Sequence, residues 1–376
     1  MTRPVYDVAI IGGGIVGAAC GAEAARQGLK VIIIECSFAG GGATAAGMGH
    51  IVVMDDSEAQ FDLTCYSQEL WQKLAPVLPN QVEYDQCGTI WVAADEEEMG
   101  EVTRKHRFYS DRGVEAEILD APMLKALEPN LRDGLAGGLL MPADAVIYPP
   151  AAARFLIEQA RDNGASISFG RSVTNLSESG PVLNDGSLIG ARITVNATGS
   201  WAPELTPGIN VQKRKGHLVI TDRYPGFVRH QLVELGYLKS AHSLTSDSVA
   251  FNAQPRRTGQ VLIGSSRQYG VDDSRVEAAM LARMLARAEK YLPGLSNLSA
   301  IRAWTGFRAA TPDKLPLIGP CPGCDWLYLA TGHEGLGITT SLATAKLLVD
   351  QLTGRTSKIP AAPYLPARTF REAVHA

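Results

Sequence analysis

The sequence predicts an α/β fold in which a Rossmann-like nucleotide-binding domain is interleaved with a second, α+β domain. Three observations lead there. The stretch from Val5 to Glu35, VYDVAIIGGGIVGAACGAEAARQGLKVIIIE, reads as an apolar strand, a glycine-rich turn, an Ala-rich helix and a second apolar strand ending in an acid. Helix and strand logic of the same kind returns in YPPAAARFLIEQARDNGASISFGRSV and again in DWLYLATGHEGLGITTSLATAKLLVDQLTG, separated by stretches that read as another sheet. At 376 residues the chain also exceeds the usual single-domain range.

Taken in order, the Val5 to Glu35 unit is followed by CSFAGGGATAAGMGHIVV, a small-residue loop expected to lie along a bound cofactor. Residues 57–78 carry apolar positions at helical spacing, and VEYDQCGTIWVAAD then alternates as a strand does. A polar helix in EEEMGEVTRKHRFYSDRG, a short strand and turns around Pro122, Pro129 and Pro142 complete the first excursion into the second domain. Pro149 and Pro150 open the next helix and Gly164 follows its end. GARITVNATGSWAPEL is an apolar strand running into a small-residue turn, HLVITD, VAFNAQP and QVLIGSS are further strands, and residues 275–290 form an amphipathic helix. The resulting boundaries place 1–82, 146–210 and 300–376 in the nucleotide-binding domain, and 83–145 and 211–299 in the second.

Composition narrows the function classes. Hydrophobic residues make up 45% of the chain and charged residues 20%, with 38 Gly and 21 Pro, as in a folded α/β enzyme. The net charge of -4, with no concentration of Lys and Arg, argues against a nucleic-acid partner. Without a signal-like start or an apolar run of about 18 residues, a cytoplasmic protein with no transmembrane segment is expected. Of six cysteines only Cys321 and Cys324 have a suggestive spacing, and with no second such pair they read as a turn, not a metal site.

Gly12, Gly14 and Gly17, with Ile15 and Val16 between them, satisfy GxGxxG after a strand and at a helix start. The first glycine permits the tight turn, the second lets backbone approach a pyrophosphate, and the third allows close packing. The helix N-terminus adds free N–H groups and the positive end of its dipole. Glu35, with Cys36 beside it, ends the second strand, where an acid binds ribose hydroxyls and would repel a 2'-phosphate. This separates NADP from NAD and FAD but leaves the latter two open.

The motifs YDVAIIGGGIVGAACGAEAARQGLKVIIIE, GGATAAGMGHI, VNATGSWAPEL, GFRAATPDKLPLIGP and LYLATGHEGLGITTSLATAKLLVDQL resemble, in this order, the D-amino-acid oxidase, glycine oxidase and sarcosine oxidase superfamily of FAD flavoproteins. The resemblance implies FAD between the nucleotide-binding domain and a substrate-binding domain built on a mixed, largely antiparallel sheet. Gly42, Ala43, Thr44, Ala45, Gly47, Met48, Gly49 and His50 would line the flavin, Val173 the adenine, and Ala197, Thr198, Gly199 and Trp201 the ribityl chain and pyrophosphate. Gly332, His333, Gly335, Leu336, Gly337, Ile338 and Thr339 would form the closing turn, whose helix start faces the pyrimidine end of the flavin and favours negative charge there. Relatives that hold FAD covalently use a Cys that falls on Gly306 here, so noncovalent FAD is expected.

Arg308 matches the arginine that holds the substrate carboxylate, and the second arginine of glycine oxidase falls on Gly335. The implied reaction places an amino acid with its Cα–H over flavin N5 and needs little acid–base machinery. His50 and His333 are expected to touch cofactor or substrate, His217 less so; Tyr224 and Tyr237 are candidate substrate contacts and Trp304 a packing residue. The loop before His50 most resembles FAD-carrying β subunits of heteromeric D-hydroxyproline dehydrogenases, then the flavin subunits of hydrogen cyanide synthase. That resemblance implies a pyrroline imino acid product and companion subunits bearing iron–sulfur clusters or further flavin. A peroxide-producing glycine, sarcosine or D-amino-acid oxidase and a flavin electron-relay subunit are the alternatives.

Overall fold

The computed structural model describes residues 6–236 and 247–369. The strand Tyr6–Ile11 (β1), the helix Ile15–Arg26 (α1) and the strand Val31–Glu35 (β2) form the expected unit. β1 and β2 pair in parallel at the centre of a six-stranded sheet ordered Leu317–Cys321, Cys324–Thr331, Ala191–Asn196, β1, β2, Ser166–Phe169. Only Leu317–Cys321 runs antiparallel to its neighbour. β2 is buried along its whole length, as a central parallel strand covered on both faces must be, and this explains its unbroken apolar run. The helices Pro149–Asp162 and Gly337–Thr353 flank α1, and their apolar faces close the largest core with Ile10, Ile33, Trp71 and Leu348.

The second sheet has eight strands in the order Ala300–Ala310, Gln212–Arg223, Gln260–Tyr269, Ser248–Pro255, Gln231–Glu234, Thr89–Ala93, Gly137–Met141, Glu117–Asp120. Every pairing is antiparallel except that of Gln231–Glu234 with Thr89–Ala93. The helix Ala278–Glu289 packs on this sheet through Met280, Met284 and Ala288, and Phe251 stacks on Tyr291 at 4.6 Å beneath it.

Local chemistry accounts for the helix starts. Ser57 accepts a hydrogen bond from the Gln60 N–H ahead of Glu58–Leu74, and Asp95 accepts one from Glu98 ahead of Glu96–Ser110. Asp120 caps Ala121–Leu127, a helix where the sequence pattern suggests turns around Pro122; the proline sits in the first turn, where its missing N–H costs nothing. Two further differences arise. The small-residue loop contains a short helix, Gly42–Ala46, and the strand Ala300–Ala310 belongs to the eight-stranded sheet, whereas the sequence pattern places 300 onward in the nucleotide-binding domain. Strand Ala300–Ala310 pairs with Gln212–Arg223 along almost its whole length, so non-local pairing, invisible in the sequence, draws it across. No described helix is long and apolar enough to cross a membrane, and no described cluster of His, Cys, Asp or Glu could hold a metal ion.

Candidate cofactor and substrate site

A continuous cavity of about 920 Å³ runs from the C-terminal ends of β1 and β2 to the face of the eight-stranded sheet. Its volume is at the large end for small-molecule sites, as an extended cofactor together with a substrate requires.

At one end lies the glycine turn. Gly12 has φ +106°, and a Cβ there would sit 2.6 Å from the Ala197 carbonyl oxygen; at Gly17 it would sit 2.0 Å from the Gly12 oxygen. Gly14 caps α1 without any side-chain hydrogen bond, which leaves the helix N-terminus open toward the cavity. Glu35 fixes the turn from beneath, its Oε2 accepting from the Gly13 N–H at 2.6 Å and its Oε1 from Ser37 at 2.8 Å. Thr44 accepts from the Ile15 N–H at 3.0 Å and so ties the loop helix to the cradle. Arg171, Ser172 and Val173 form the wall beyond Glu35.

The turn after Ala191–Asn196 is held by the strand's last residue. Asn196 donates to the Ala202 carbonyl and Thr206 hydroxyl and accepts from both the N–H and hydroxyl of Thr198. Ala197, Thr198, Gly199 and Trp201 thereby line the cavity opposite Gly42. A Cβ at Gly306 would lie 2.3 Å from the Ala46 Cβ, so that position admits no larger side chain.

His50 and His333 both line the middle of the cavity. Burial, with the Arg308 charge adding to it, pushes His50 down to about 4, and its buried Nδ1 has no partner among the described residues. His333 is pushed down to about 3 by burial, and its Nε2 bonds the Thr344 hydroxyl at 3.0 Å. Both rings are neutral near pH 7, and His333 is anchored in the protein while His50 retains an open ring nitrogen. The helix Gly337–Thr353 begins here with no side-chain cap, presenting Gly337 and Ile338 to the cavity.

Beyond His50, Arg308, Arg214 and Arg267 come from three adjacent strands of the eight-stranded sheet. Arg308 donates to the Ser266 carbonyl at 3.0 Å. Burial and the neighbouring Arg214 pull it down to about 9, the mark of a cation without a carboxylate beside it. Arg214 pairs with Glu334 and donates to the Tyr269 hydroxyl at 3.0 Å. With Glu334 paired to Arg214 and the Asp56 carboxylate acting on Arg267, Arg308 is the guanidinium that leaves this corner suited to an anion. Gly216 makes room for it, because a Cβ there would meet Arg308 Nη1 at 2.3 Å.

Most of the sequence-derived residues reach the cavity wall, including Gly47, Met48, Gly335 and Leu336. Several do not. Gly17 serves helix packing, Gly49 an abutment on Ile147, and Gly332 a positive-φ turn against Thr311. Ala45 faces outward while Ala46 lines the cavity in its place, and Thr339 donates to the His50 carbonyl at 2.9 Å from behind. Tyr224 is a correction: its hydroxyl accepts from Ser299 N–H at the far end of strand Gln212–Arg223, outside the cavity. His217 faces the opposite side of that strand from Gly216 and Leu218, with both ring nitrogens occupied by Ser266 and Glu277. Trp304 donates to the Ala46 carbonyl at 3.3 Å and packs as expected. Tyr237 lies outside the described residues. Arg214, Arg267, Thr89, Trp91, Gln231 and Asn252 also line the cavity, and of these only Arg214 is signalled by the sequence, through its parity with Gly216 along one strand.

The open helix terminus, the glycine cradle that no Cβ could enter and the orphaned His50 Nδ1 fit a long dinucleotide carrying a redox ring. Comparison with known proteins identifies it. The chain is 29% identical to glycine oxidase of Geobacillus kaustophilus over 374 residues, covering 96% of each. It is 28% identical to hydrogen cyanide synthase subunit HcnC of Pseudomonas protegens over 427 aligned positions, covering 98% of this chain and 97% of that one. The crystal structure of the Geobacillus kaustophilus glycine oxidase superposes with a TM-score of 0.86 at 28% identity, covering 97% of this chain and 99% of the other. L-proline dehydrogenase from P. horikoshii shares the fold, with a TM-score of 0.85 over 97% of this chain and 98% of that one at 24% identity. Residues 7–351 match the family described as FAD dependent oxidoreductase (DAO), and the chain therefore belongs to this family and uses FAD.

Proposed function

We propose that the protein oxidises a small amino or imino acid at Cα, with cis-4-hydroxy-D-proline the best substrate, as the catalytic subunit of a D-hydroxyproline dehydrogenase. The observation that carries this reading is the corner formed by Arg308, Arg214 and Arg267, which offers an anion site at the end of a cofactor-length cavity. A planar guanidinium suits a carboxylate because two parallel N–H groups meet two oxygens. FAD, when bound, supplies the acceptor for the two electrons and hydrogen leaving Cα.

The chain's own residues bind and orient. Gly12, Gly14 and Glu35 would hold the ADP half, the Gly42 to Gly47 segment and Thr198 the middle, and Gly337 and Ile338 the ring end. Arg308 would clamp the carboxylate, while Val52, Met54 and Val233 keep water away from the reacting carbon. His50, neutral near pH 7, offers a hydrogen bond at Nδ1 and does not store a proton there. The cyclic product is the pyrroline imino acid. HcnC is by its name a subunit, which supports companion chains here; these would carry the electrons onward.

Anaerobic bleaching of the yellow holoenzyme with D-amino acids, hydroxyprolines, sarcosine and glycine tests the proposal, and no bleaching by any of them overturns it. A peroxide-producing oxidase is the second reading, favoured by the full-length similarity to glycine oxidase. Rapid reoxidation of the bleached protein by air would select it. An electron relay has no use for the arginine corner.

A further inference from the structure

On the eight-stranded sheet the three arginine-bearing strands are followed directly by Ser248–Pro255, Gln231–Glu234 and Thr89–Ala93. Residues of these next three strands continue the same cavity wall: Asn252, Gln231 and Val233, Thr89 and Trp91. The register explains their common face. Gln231 is opposite Thr89, Val233 is opposite both Trp91 and Asn252, and alternation along each strand turns these side chains the same way.

This half of the wall is polar and unsatisfied. Trp91 Nε1, Gln231 Oε1 and Asn252 Oδ1 are buried and have no hydrogen-bond partner among the described residues. Trp91 and Gln231 are each only 3% exposed and Thr89 not at all. Buried polar atoms in folded proteins are nearly always paired, so three orphans on one cavity face mark a ligand's position. Trp91 is held from its other side by Lys105, whose ammonium lies 4.8 Å from the indole centroid and pairs with the buried Asp55.

Resting on the reading above, we infer that Asn252, Gln231, Trp91 and Thr89 recognise a neutral hydroxyl-type substituent carried by the substrate beyond its carboxylate. An indole N–H donates, amide oxygens accept, and a threonine hydroxyl does both, so a group that donates and accepts satisfies the set. None of these four side chains is charged, and a charged substituent would be desolvated against them without a counter-ion. Arg308 donates to the Ser266 carbonyl, and Asn252 is opposite Gly264, two residues along that strand from Ser266, so the polar set lies one strand over and two residues along from the carboxylate clamp, a span suited to a substituent a few bonds from the carboxylate. An unsubstituted ring would leave the buried acceptors and the indole N–H unpaired, which is the arrangement that discriminates most strongly against the missing hydroxyl.

The test compares cis-4-hydroxy-D-proline with D-proline on the FAD-loaded enzyme, using a dye acceptor under anaerobic conditions. The wild-type kcat/KM ratio should favour the hydroxylated ring by about tenfold or more. The near-isosteric Gln231→Met and Asn252→Leu should each lower kcat/KM for the hydroxylated ring by about tenfold, chiefly through KM, and alter D-proline turnover by less than about threefold. A wild-type ratio near one overturns the inference and needs no variant to fold. Equal losses on both substrates in both variants also overturn it, because that is the signature of a merely structural role. Bleaching by D-proline with no hydroxyl preference refutes this inference alone; bleaching by no amino acid refutes the proposed reaction as well.

Discussion

Gly216→Ala perturbs the anion corner without replacing any residue assigned to hold the ligand. The added methyl would lie 2.3 Å from Arg308 Nη1 and 2.9 Å from its Cζ and Nη2, against an ordinary contact near 3.5 Å. Arg308's guanidinium is the end of a flexible side chain, so it will move by about 1 Å and the backbone pairing of strand Gln212–Arg223 will hold. That displacement breaks the 3.0 Å bond to the Ser266 carbonyl, which sets the plane of the guanidinium. Losing one charge-assisted hydrogen bond to substrate costs about 1.5–3 kcal/mol, or about 10- to 150-fold in kcat/KM. The assay is steady-state turnover with a dye acceptor beside the flavin absorption spectrum. KM should rise, kcat should change less, and FAD content should match wild type. Unchanged kcat/KM would refute the assignment of Arg308 to the carboxylate. Loss of FAD instead would put the guanidinium on the cofactor.

Three other outcomes follow from the same geometry. Arg308→Lys keeps the charge but removes the fork, so substrate affinity should fall about tenfold or more with the flavin spectrum intact. His50 and His333 stay neutral down to about 4 and 3, so kcat/KM above pH 6 should carry no histidine step; a step near pH 6.5 that disappears in His50→Asn would contradict this. Because unfolded histidines bind protons below about 6.5, these two contribute stability at neutral pH that is lost as the pH falls below it. Asp144 acts in the opposite sense: burial raises it from 3.8 to about 7, so the folded protein holds a proton that the unfolded chain has released, and stability falls as pH rises through that window. Asp144→Asn, which keeps an acceptor for Gln68 and the Val53 N–H, should gain about 1–2 kcal/mol at pH 8, read as a higher Tm, and nothing at pH 4.

The parts of the site whose chemistry is local are legible in the amino-acid sequence. A glycine that must take φ +106° against Ala197, a helix start with no cap and an acid at the end of β2 lie within 24 residues of one another, so their spacing alone announced a nucleotide cradle. The same holds for the NATGSW and TGHEGLG turns, each a strand end followed by small residues. The arginine corner, by contrast, is assembled by long-range strand pairing. Gly335 stands at the position of the second arginine that the family resemblance implies, and Arg214 and Arg267 come from other strands, each arginine more than 40 residues in sequence from Arg308 and from the other. Cross-strand register, which no local pattern encodes, puts Asn252 opposite Val233 and Gln231 opposite Thr89, turning scattered polar residues into one wall. It also turned His217 and Tyr224 away from the cavity, since a strand's side chains alternate and its far end lies beyond the site.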